Sequence, residues 1–149
     1  MYRPPSKSGG GFVYCTACSP GSFAPYYGTV TCSSCPANTY SPIPGQSSCT
    51  NCATGTGSFS SGSTSSVACL NCVPGYYSKG DGNGCLPCPP NTYSLNFGAS
   101  TCTTCPAGQG SNFSGGASAG VCLNCQPGYY SKGDVNGCQR CAPGSFNNQ

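Results

Sequence analysis

Cysteines are the residues of this sequence best suited to chemistry, and all sixteen of them occur in pairs spaced Cys-x-x-Cys. The eight pairs begin at residues 15, 32, 49, 69, 85, 102, 122 and 138. Cysteines in this pattern form disulfides, hold zinc or carry out thiol–disulfide exchange. Between the pairs at Cys69 and Cys85 lies VPGYYSKGDGNG, which places turn residues around two strand-forming tyrosines. The pattern predicts a small hairpin closed by cross-links.

Composition favours disulfides over the other two thiol chemistries. Cysteine makes up about 11% of the 149 residues, a level typical of disulfide scaffolds. A zinc ion held by four thiolates carries about two net negative charges, and the chain offers five Lys and Arg residues and no His to balance four such centres. Redox catalysis of the thioredoxin type needs one pair at a helix start in an α/β domain. We therefore expect no metal and no cofactor.

Hydrophobic burial alone cannot fold this chain. Leu, Ile, Val and Phe number 17, about 11% of the residues, where roughly 20% is needed for a sizeable core. Disulfides must supply the difference, at about 3 kcal/mol for each loop of about 15 residues. Because disulfides on this scale need an oxidising compartment, the sequence predicts an extracellular or cell-surface protein.

The same composition disfavours several other classes. Five scattered cations do not predict nucleic-acid binding, and two distant acids do not predict paired-carboxylate catalysis, so we expect no enzyme. No run of about 18 apolar residues predicts a membrane span. The start, MYRPPSKSGGGF, lacks the apolar region of a signal peptide. We interpret the chain as a mature product or a segment of a longer secreted protein.

The spacing of the pairs reveals an internal repeat. Each pair with the residues up to the next pair forms one module, and module lengths of 17, 20 and 16 residues recur to give a super-repeat of 53. Its two copies share 32 of 53 residues. The predicted organisation is a flexible or edge-strand arm (1–14), a divergent first module (15–31), copy 1 (32–84), copy 2 (85–137) and an incomplete terminal module (138–149).

The predicted fold is small, disulfide-rich and all-β or irregular. We expect an elongated tandem array of short cross-linked β-hairpins without helices of note. Strands of three to five residues are predicted around Thr39, Tyr76, Thr92 and Tyr129. The Ser/Gly-rich stretches 55–66 and 108–120 are predicted to be tethered loops.

The odd number of pairs in the super-repeat constrains disulfide connectivity. Closing neighbouring pairs two by two would bond matching cysteines of the two copies differently. Joining the second cysteine of each pair to the first of the next treats both copies alike. This head-to-tail scheme joins Cys18 to Cys32, Cys35 to Cys49, Cys52 to Cys69, Cys72 to Cys85, Cys88 to Cys102, Cys105 to Cys122 and Cys125 to Cys138. Closed six-cysteine modules also respect the period and remain an alternative.

The head-to-tail scheme leaves Cys15 and Cys141 without partners. These residues lie in matching motifs at the two ends, CTACSPGSF and CQRCAPGSF, and the chain ends in mid-module. We hypothesise that Cys141 bonds Cys15 of the next molecule, or of a further repeat in a longer chain. A heterologous contact of this kind continues as a filament.

Three further features are candidates for binding or modification. In an extended tyrosine pair, one ring would cover the disulfides and the other would form a stacking surface for sugars or neighbouring chains; the pairs are Tyr26 with Tyr27, Tyr76 with Tyr77 and Tyr129 with Tyr130. Asn112 lies in an Asn-x-Ser sequon and is a candidate N-glycan site. Asp81 and Asp134 start Asp-x-Asn-Gly motifs that predict Asx turns, because the other carboxylates of a calcium loop are missing.

Two segments resemble a known repeat. CPANTYSPIPGQSSCTNC (35–52) and CPPNTYSLNFGASTCTTCPAG (88–108) are similar to the ephrin-receptor-like cysteine-rich repeat, written CPxGTYS, a variable stretch, G, then SCxxCPxG. The family is related in style to TNF-receptor and EGF-like modules. The resemblance covers nearly all of residues 15–146, with Asn38 and Asn91 where the family usually has Gly. It implies an elongated, non-catalytic spacer or binding surface, as in receptors, adhesins and protist surface coats such as ciliate immobilisation antigens.

Together these observations predict a structural repeat protein of an extracellular filament, appendage or cell-surface coat that assembles head to tail. Its expected partners are copies of itself or neighbouring surface proteins, with glycans as further candidates. The alternative is a ligand-binding or adhesive ectodomain fragment of a cysteine-rich receptor or adhesin. A metal-loaded cysteine-rich protein is the third hypothesis.

Overall fold

The computed structural model describes residues 14–147. The predicted arm, residues 1–14, therefore lies outside the described residues except for Tyr14. Seven two-stranded antiparallel hairpins follow one another along the described chain, as the sequence predicts. Their strands are β1 (Ser22–Phe23), β2 (Ser33–Ser34), β3 (Thr39–Tyr40), β4 (Thr50–Asn51), β5 (Thr56–Gly57), β6 (Leu70–Asn71), β7 (Tyr76–Tyr77), β8 (Leu86–Pro87), β9 (Thr92–Tyr93), β10 (Thr103–Thr104), β11 (Gln109–Gly110), β12 (Leu123–Asn124), β13 (Tyr129–Tyr130) and β14 (Gln139–Arg140).

The strands are two residues long, which is shorter than predicted. Each second strand consists of the two residues between the cysteines of a pair, as in β2 between Cys32 and Cys35. The first cysteine is bonded into its own hairpin and the second begins the next. The turn of the next hairpin begins two residues after the second cysteine, as at Ala37 after Cys35, so the strand pairing ends there.

Helical structure in residues 14–147 is confined to two 3₁₀ turns, Ser66–Ala68 and Ala119–Val121. They overlap the ends of the Ser/Gly-rich stretches 55–66 and 108–120, just before Cys69 and Cys122. Because β5 and β11 lie near the starts of these stretches, the prediction that they are loops is only partly correct. Neither turn is long or apolar enough to cross a membrane.

A residue in the left-handed conformation precedes the first strand of every hairpin. It is Gly in five hairpins and Asn in two, and it has φ between 64° and 86°; the residues are Gly21, Asn38, Gly55, Gly75, Asn91, Gly108 and Gly128. Asn38 and Asn91 are the two non-glycine residues with positive φ in the described part of the chain. Asn tolerates this conformation better than other side chains do, which explains how it replaces the family's glycine.

The left-handed residue makes two backbone hydrogen bonds, one within its own hairpin and one to the next module. Its carbonyl accepts the N–H of the second cysteine of the next pair, as Gly21 accepts from Cys35 at 2.9 Å. Its N–H donates to a carbonyl of the next module, as Gly21 donates to Ser41 at 2.8 Å. The same two bonds occur at all seven hairpins and link them into a continuous array.

Half-cystines and hydroxyl side chains form the buried interior. The buried apolar residues are all cysteines: Cys18, Cys35, Cys52, Cys72, Cys88, Cys105 and Cys122. The buried polar residues are Thr39, Ser41, Ser58, Ser78, Thr92, Ser94, Ser111 and Ser131. No Leu, Ile, Val or Phe of residues 14–147 is buried, so cross-links and hydrogen bonds take the place of a conventional core.

Candidate functional site: the disulfide ladder and its open ends

Seven disulfides cross-link the seven hairpins, one in each. They are Cys18–Cys32, Cys35–Cys49, Cys52–Cys69, Cys72–Cys85, Cys88–Cys102, Cys105–Cys122 and Cys125–Cys138. Their Cα atoms lie 5.5–5.8 Å apart, which is the usual range for disulfides. The pairing is that of the head-to-tail scheme, in which no bond forms within a Cys-x-x-Cys pair.

A buried serine lies beside this ladder in each module from the second to the seventh: Ser41, Ser58, Ser78, Ser94, Ser111 and Ser131. Each serine carbonyl accepts the N–H of the preceding module's left-handed residue. Each hydroxyl bonds the backbone two residues further on, as Ser131 Oγ accepts from Gly133 N–H at 3.2 Å. In the described residues no buried side-chain N or O lacks a partner. No sequence pattern singled out these serines, although each directly follows the first strand of its hairpin in the sequence.

Asn38 and Asn91 add side-chain bonds that glycine cannot make. Asn91 Oδ1 accepts the N–H of buried Ser111 at 2.7 Å, and its Nδ2 donates to Val135 O at 3.0 Å. In copy 1, Asn38 Oδ1 accepts the N–H of Ser58 at 2.8 Å. Each Asn therefore joins its module to the next through both main chain and side chain.

We expect Asn91→Ala to destabilise the junction at Ser111 more than Asn91→Gly. Both changes remove the bond to the buried Ser111 N–H, worth about 1 kcal/mol. Alanine also forces a Cβ into positive φ, at about 1–2 kcal/mol. Native-state hydrogen exchange of the Cys105 amide, which bonds the carbonyl of residue 91, measures the difference, with the Cys52 amide of the unchanged copy as internal control. Equal protection of Cys105 in both variants would contradict this account.

Cys15 and Cys141 are the free cysteines of the structure. Cys15 is exposed, and Cys141 is half-buried with its N–H bonded to Gly128 O at 2.9 Å. Cys141 occupies the position whose counterparts bond the next module, and Cys15 occupies the position whose counterparts bond the preceding one. The two thiols therefore mark opposite ends of the ladder.

The predicted inward role is wrong for the first tyrosine pair and stays a prediction for the other two. Tyr26 is 80% exposed and Tyr27 is fully exposed, because they lie in the bend before Gly28 and not in a strand. The other two pairs form strands β7 and β13, as predicted, but none of their rings is buried. The stacking surface formed by the six rings stays a prediction.

Tyr129 has a neighbour of its own. Arg140 Nε donates to Tyr129 Oη at 3.0 Å, and the guanidinium carbon lies 5.9 Å from the ring centroid. The hydrogen bond raises the pKa of Arg140 above its ordinary value. The two residues face each other across the pairing of β13 with β14, so this contact closes the last hairpin.

The two acidic motifs form Asx turns. Asp81 Oδ1 accepts Asn83 N–H at 3.1 Å, and Asp134 Oδ1 accepts Asn136 N–H at 3.0 Å. The bond from Asn83 lowers the pKa of the Asp81 carboxyl. In residues 14–147 no group of three or more His, Cys, Asp or Glu side chains is arranged to hold a metal ion. The acids of this part of the chain therefore have a turn-forming role.

Comparison with known proteins identifies one family. The family model described as tyrosine-protein kinase ephrin type A/B receptor-like matches residues 21–69 and 75–122. The two matches cover about two thirds of the chain, begin at the left-handed residues Gly21 and Gly75 and end at the disulfide cysteines Cys69 and Cys122. No curated protein matches the chain.

Proposed function

The chain belongs to the family of ephrin type A/B receptor-like cysteine-rich repeats, and on this basis we propose that it is a structural segment of an extracellular filament, appendage or cell-surface coat that assembles head to tail. Disulfide-rich repeats of this family indicate an extracellular or secreted protein. We further propose that the segment has no catalytic activity and that its partners are copies of itself or neighbouring surface proteins.

One observation carries the proposal: the bonding between modules is the same along the ladder and is open at both ends. Cys141 occupies the position that elsewhere bonds the next module, and Cys15 occupies the position that elsewhere bonds the preceding module. Both thiols are free. Joining them between molecules repeats the existing cross-link. Such a heterologous contact extends as a filament when the rotation between copies does not close a ring.

The covalent step needs an oxidant of the small-molecule disulfide class, for example glutathione disulfide. The Cys141 thiolate attacks glutathione disulfide, forms a mixed disulfide and releases one glutathione thiolate. The Cys15 thiolate of a second molecule then attacks the Cys141 sulfur and releases the other glutathione. Two protein thiols and one glutathione disulfide thus give one protein disulfide and two glutathione molecules.

A ligand-binding or adhesive ectodomain is the second candidate, and one groove favours it. Asn112, Phe113, Leu123, Gln126 and Tyr129 line an open groove in copy 2. Copy 1 has Phe59 and Val73 at the positions of Asn112 and Gln126. Divergence at a groove is typical of a binding site. Asn112 is exposed at this groove and remains our candidate N-glycan site.

We expect the oxidised wild-type chain to form covalent multimers. Incubation in a glutathione redox buffer should give a regular series of multimer bands on a non-reducing gel. Light scattering should give masses at multiples of the 14.9 kDa chain. The double variant Cys15→Ser/Cys141→Ser is the control and should form no covalent multimers.

A wild-type chain that stays monomeric, with both thiols open to alkylation and the seven disulfides intact, would contradict the structural proposal. Binding of a soluble partner that is lost on Gln126→Val, but kept on Val73→Gln in copy 1, would then support the ectodomain alternative.

A further inference from the structure

We infer that copies of this chain join by β-strand addition in one register, with Phe146 opposite Thr16 and Ser145 opposite Ala17 of the next copy. The inference rests on the proposed function and specifies the surfaces that the assembly uses. The partner is a second copy of this chain, attached through the other end of its ladder. The junction would be an eighth hairpin, shared between two molecules.

The two ends of the described chain are the halves of one hairpin. Inside the array, the strand after each left-handed residue pairs with the two residues inside the next Cys-x-x-Cys pair. Residues 144–146 repeat the Gly-Ser-Phe sequence of residues 21–23, and Gly144 has φ 84°. Ser145 and Phe146 nevertheless belong to no strand, and neither do Thr16 and Ala17 between Cys15 and Cys18.

The backbone groups that link modules elsewhere have no backbone partner at these ends within residues 14–147. If two copies continue the bonding between modules, these groups form three backbone hydrogen bonds from the tail of one copy to the head of the next. Cys18 N–H would donate to Gly144 O, as Cys35 donates to Gly21. Gly144 N–H would donate to Ala24 O, as Gly21 donates to Ser41. Gly28 N–H would donate to Cys141 O, as Gly45 donates to Cys18.

Exposure supports the same match. Phe146 is 82% exposed, whereas its counterparts in five paired hairpins are half-buried: Phe23, Tyr40, Tyr77, Tyr93 and Tyr130. Gly28 has open space around its Cβ position, whereas the Cβ position of Gly45 lies 3.5 Å from Ala17 of the preceding module. Both ends therefore present surfaces that the array covers elsewhere.

A contact two modules away extends the junction. The Cα hydrogen position of Gly55 faces the carbonyl of Gly98, two modules on, and Gly75 faces Gly115 in the same way. Gly128 has nothing within 4 Å of its Cβ position, because its counterpart would lie in the next copy. If the next copy continues the array, the residue two modules after Gly128 is Gly28 of that copy, and its carbonyl would lie against Gly128.

The strand register also places the two thiols together. In the paired hairpins this register holds the cysteine Cα atoms 5.5–5.8 Å apart. Cys141 and Cys15 would meet at the same separation. Strand pairing therefore aligns them for the exchange with glutathione disulfide described above, and the reaction runs from the tail of one copy to the head of the next.

The register makes a sharp distinction between two neighbouring residues. Cys35 N–H bonds Gly21 O, so the next pair, Ser22 with Ser34, is not hydrogen-bonded. Because the two kinds of pair alternate in antiparallel strands, Phe23 and Ser33 exchange both backbone hydrogen bonds. By equivalence, Thr16 N–H is needed for pairing with Phe146, and Ala17 N–H points away. Pro87 occupies the position of Ala17 in β8 and pairs with Tyr76 there, so this position accepts proline.

The test uses one-ended copies in a glutathione redox buffer. The Cys15→Ser variant, the tail copy, keeps only the Cys141 thiol, and the Cys141→Ser variant, the head copy, keeps only the Cys15 thiol. A disulfide-linked heterodimer of the two variants therefore joins Cys141 to Cys15. In the head copy, Thr16→Pro should lower the yield of heterodimer about tenfold, while Ala17→Pro should leave it within about twofold. Seven intact disulfides by mass spectrometry show that each variant is folded.

The outcomes separate the inference from the proposed function. If the unmodified head and tail copies form no heterodimer, both are overturned. If they form one and the two proline variants behave alike, head-to-tail assembly stands and the strand register is wrong. Tail-to-tail dimers joined through Cys141 would also overturn the register, because the ladder pattern has no such pairing.

Discussion

Full reduction of the seven disulfides is expected to unfold the described chain completely. The buried apolar residues of that part of the chain are all cysteines, so no separate core remains once the cross-links are broken. Each bond closes a loop of 13–17 residues, for which the chain-entropy model gives about 3 kcal/mol. Amide chemical-shift dispersion in NMR spectra, recorded before and after reduction with a phosphine, measures the change.

Two controls accompany this experiment. Alkylation of Cys15 and Cys141 alone should leave the spectrum of the array unchanged, because neither thiol is bonded in the structure. Treatment with a metal chelator in the absence of reductant should also leave it unchanged. Dispersed resonances after full reduction would show that the array has another source of stability, and unfolding by the chelator would revive the zinc hypothesis.

Gly55→Ala is expected to disrupt the packing of one module on its second neighbour. Gly55 has φ +76°, and an added Cβ would collide with the carbonyl oxygen of Gly98. That carbonyl is fixed, because Gly98 N–H bonds Cys72 O at 2.8 Å. Backbone strain of about 1–2 kcal/mol adds to about 1–3 kcal/mol for the collision. Native-state hydrogen exchange of the Gly98 and Ser78 amides measures the loss.

Gly128→Ala is the matched control for this experiment on the monomer. Gly128 has φ +84° and makes the same two backbone bonds, to Cys141 and Asn147, but nothing lies within 4 Å of its Cβ position. It should show the strain alone, about 1–2 kcal/mol. Equal effects of the two substitutions would mean that glycine is needed here for its conformation and not for close approach.

The sequence by itself determined the repeated features of this protein. The period of the Cys-x-x-Cys pairs predicted hairpins in tandem, because the cysteine spacing limits how far the chain can run between cross-links. The low content of large apolar residues predicted that cross-links would replace a core. Asn38 and Asn91, at positions where the family has glycine, pointed to a left-handed backbone, since Asn tolerates that conformation.

Only the tertiary structure decided how neighbouring modules contact one another. The strands are limited to two residues because the turn of the next hairpin begins two residues after each Cys-x-x-Cys pair, which no propensity scale records. Ser41 and its counterparts are buried because their carbonyls receive a bond from the preceding module, although serine is usually exposed. The rings of Tyr26 and Tyr27 are exposed because they lie in the bend before Gly28 and not in a strand. The burial of these serines depends on contacts between residues 19–23 positions apart, and a local sequence pattern does not specify which backbone groups will meet.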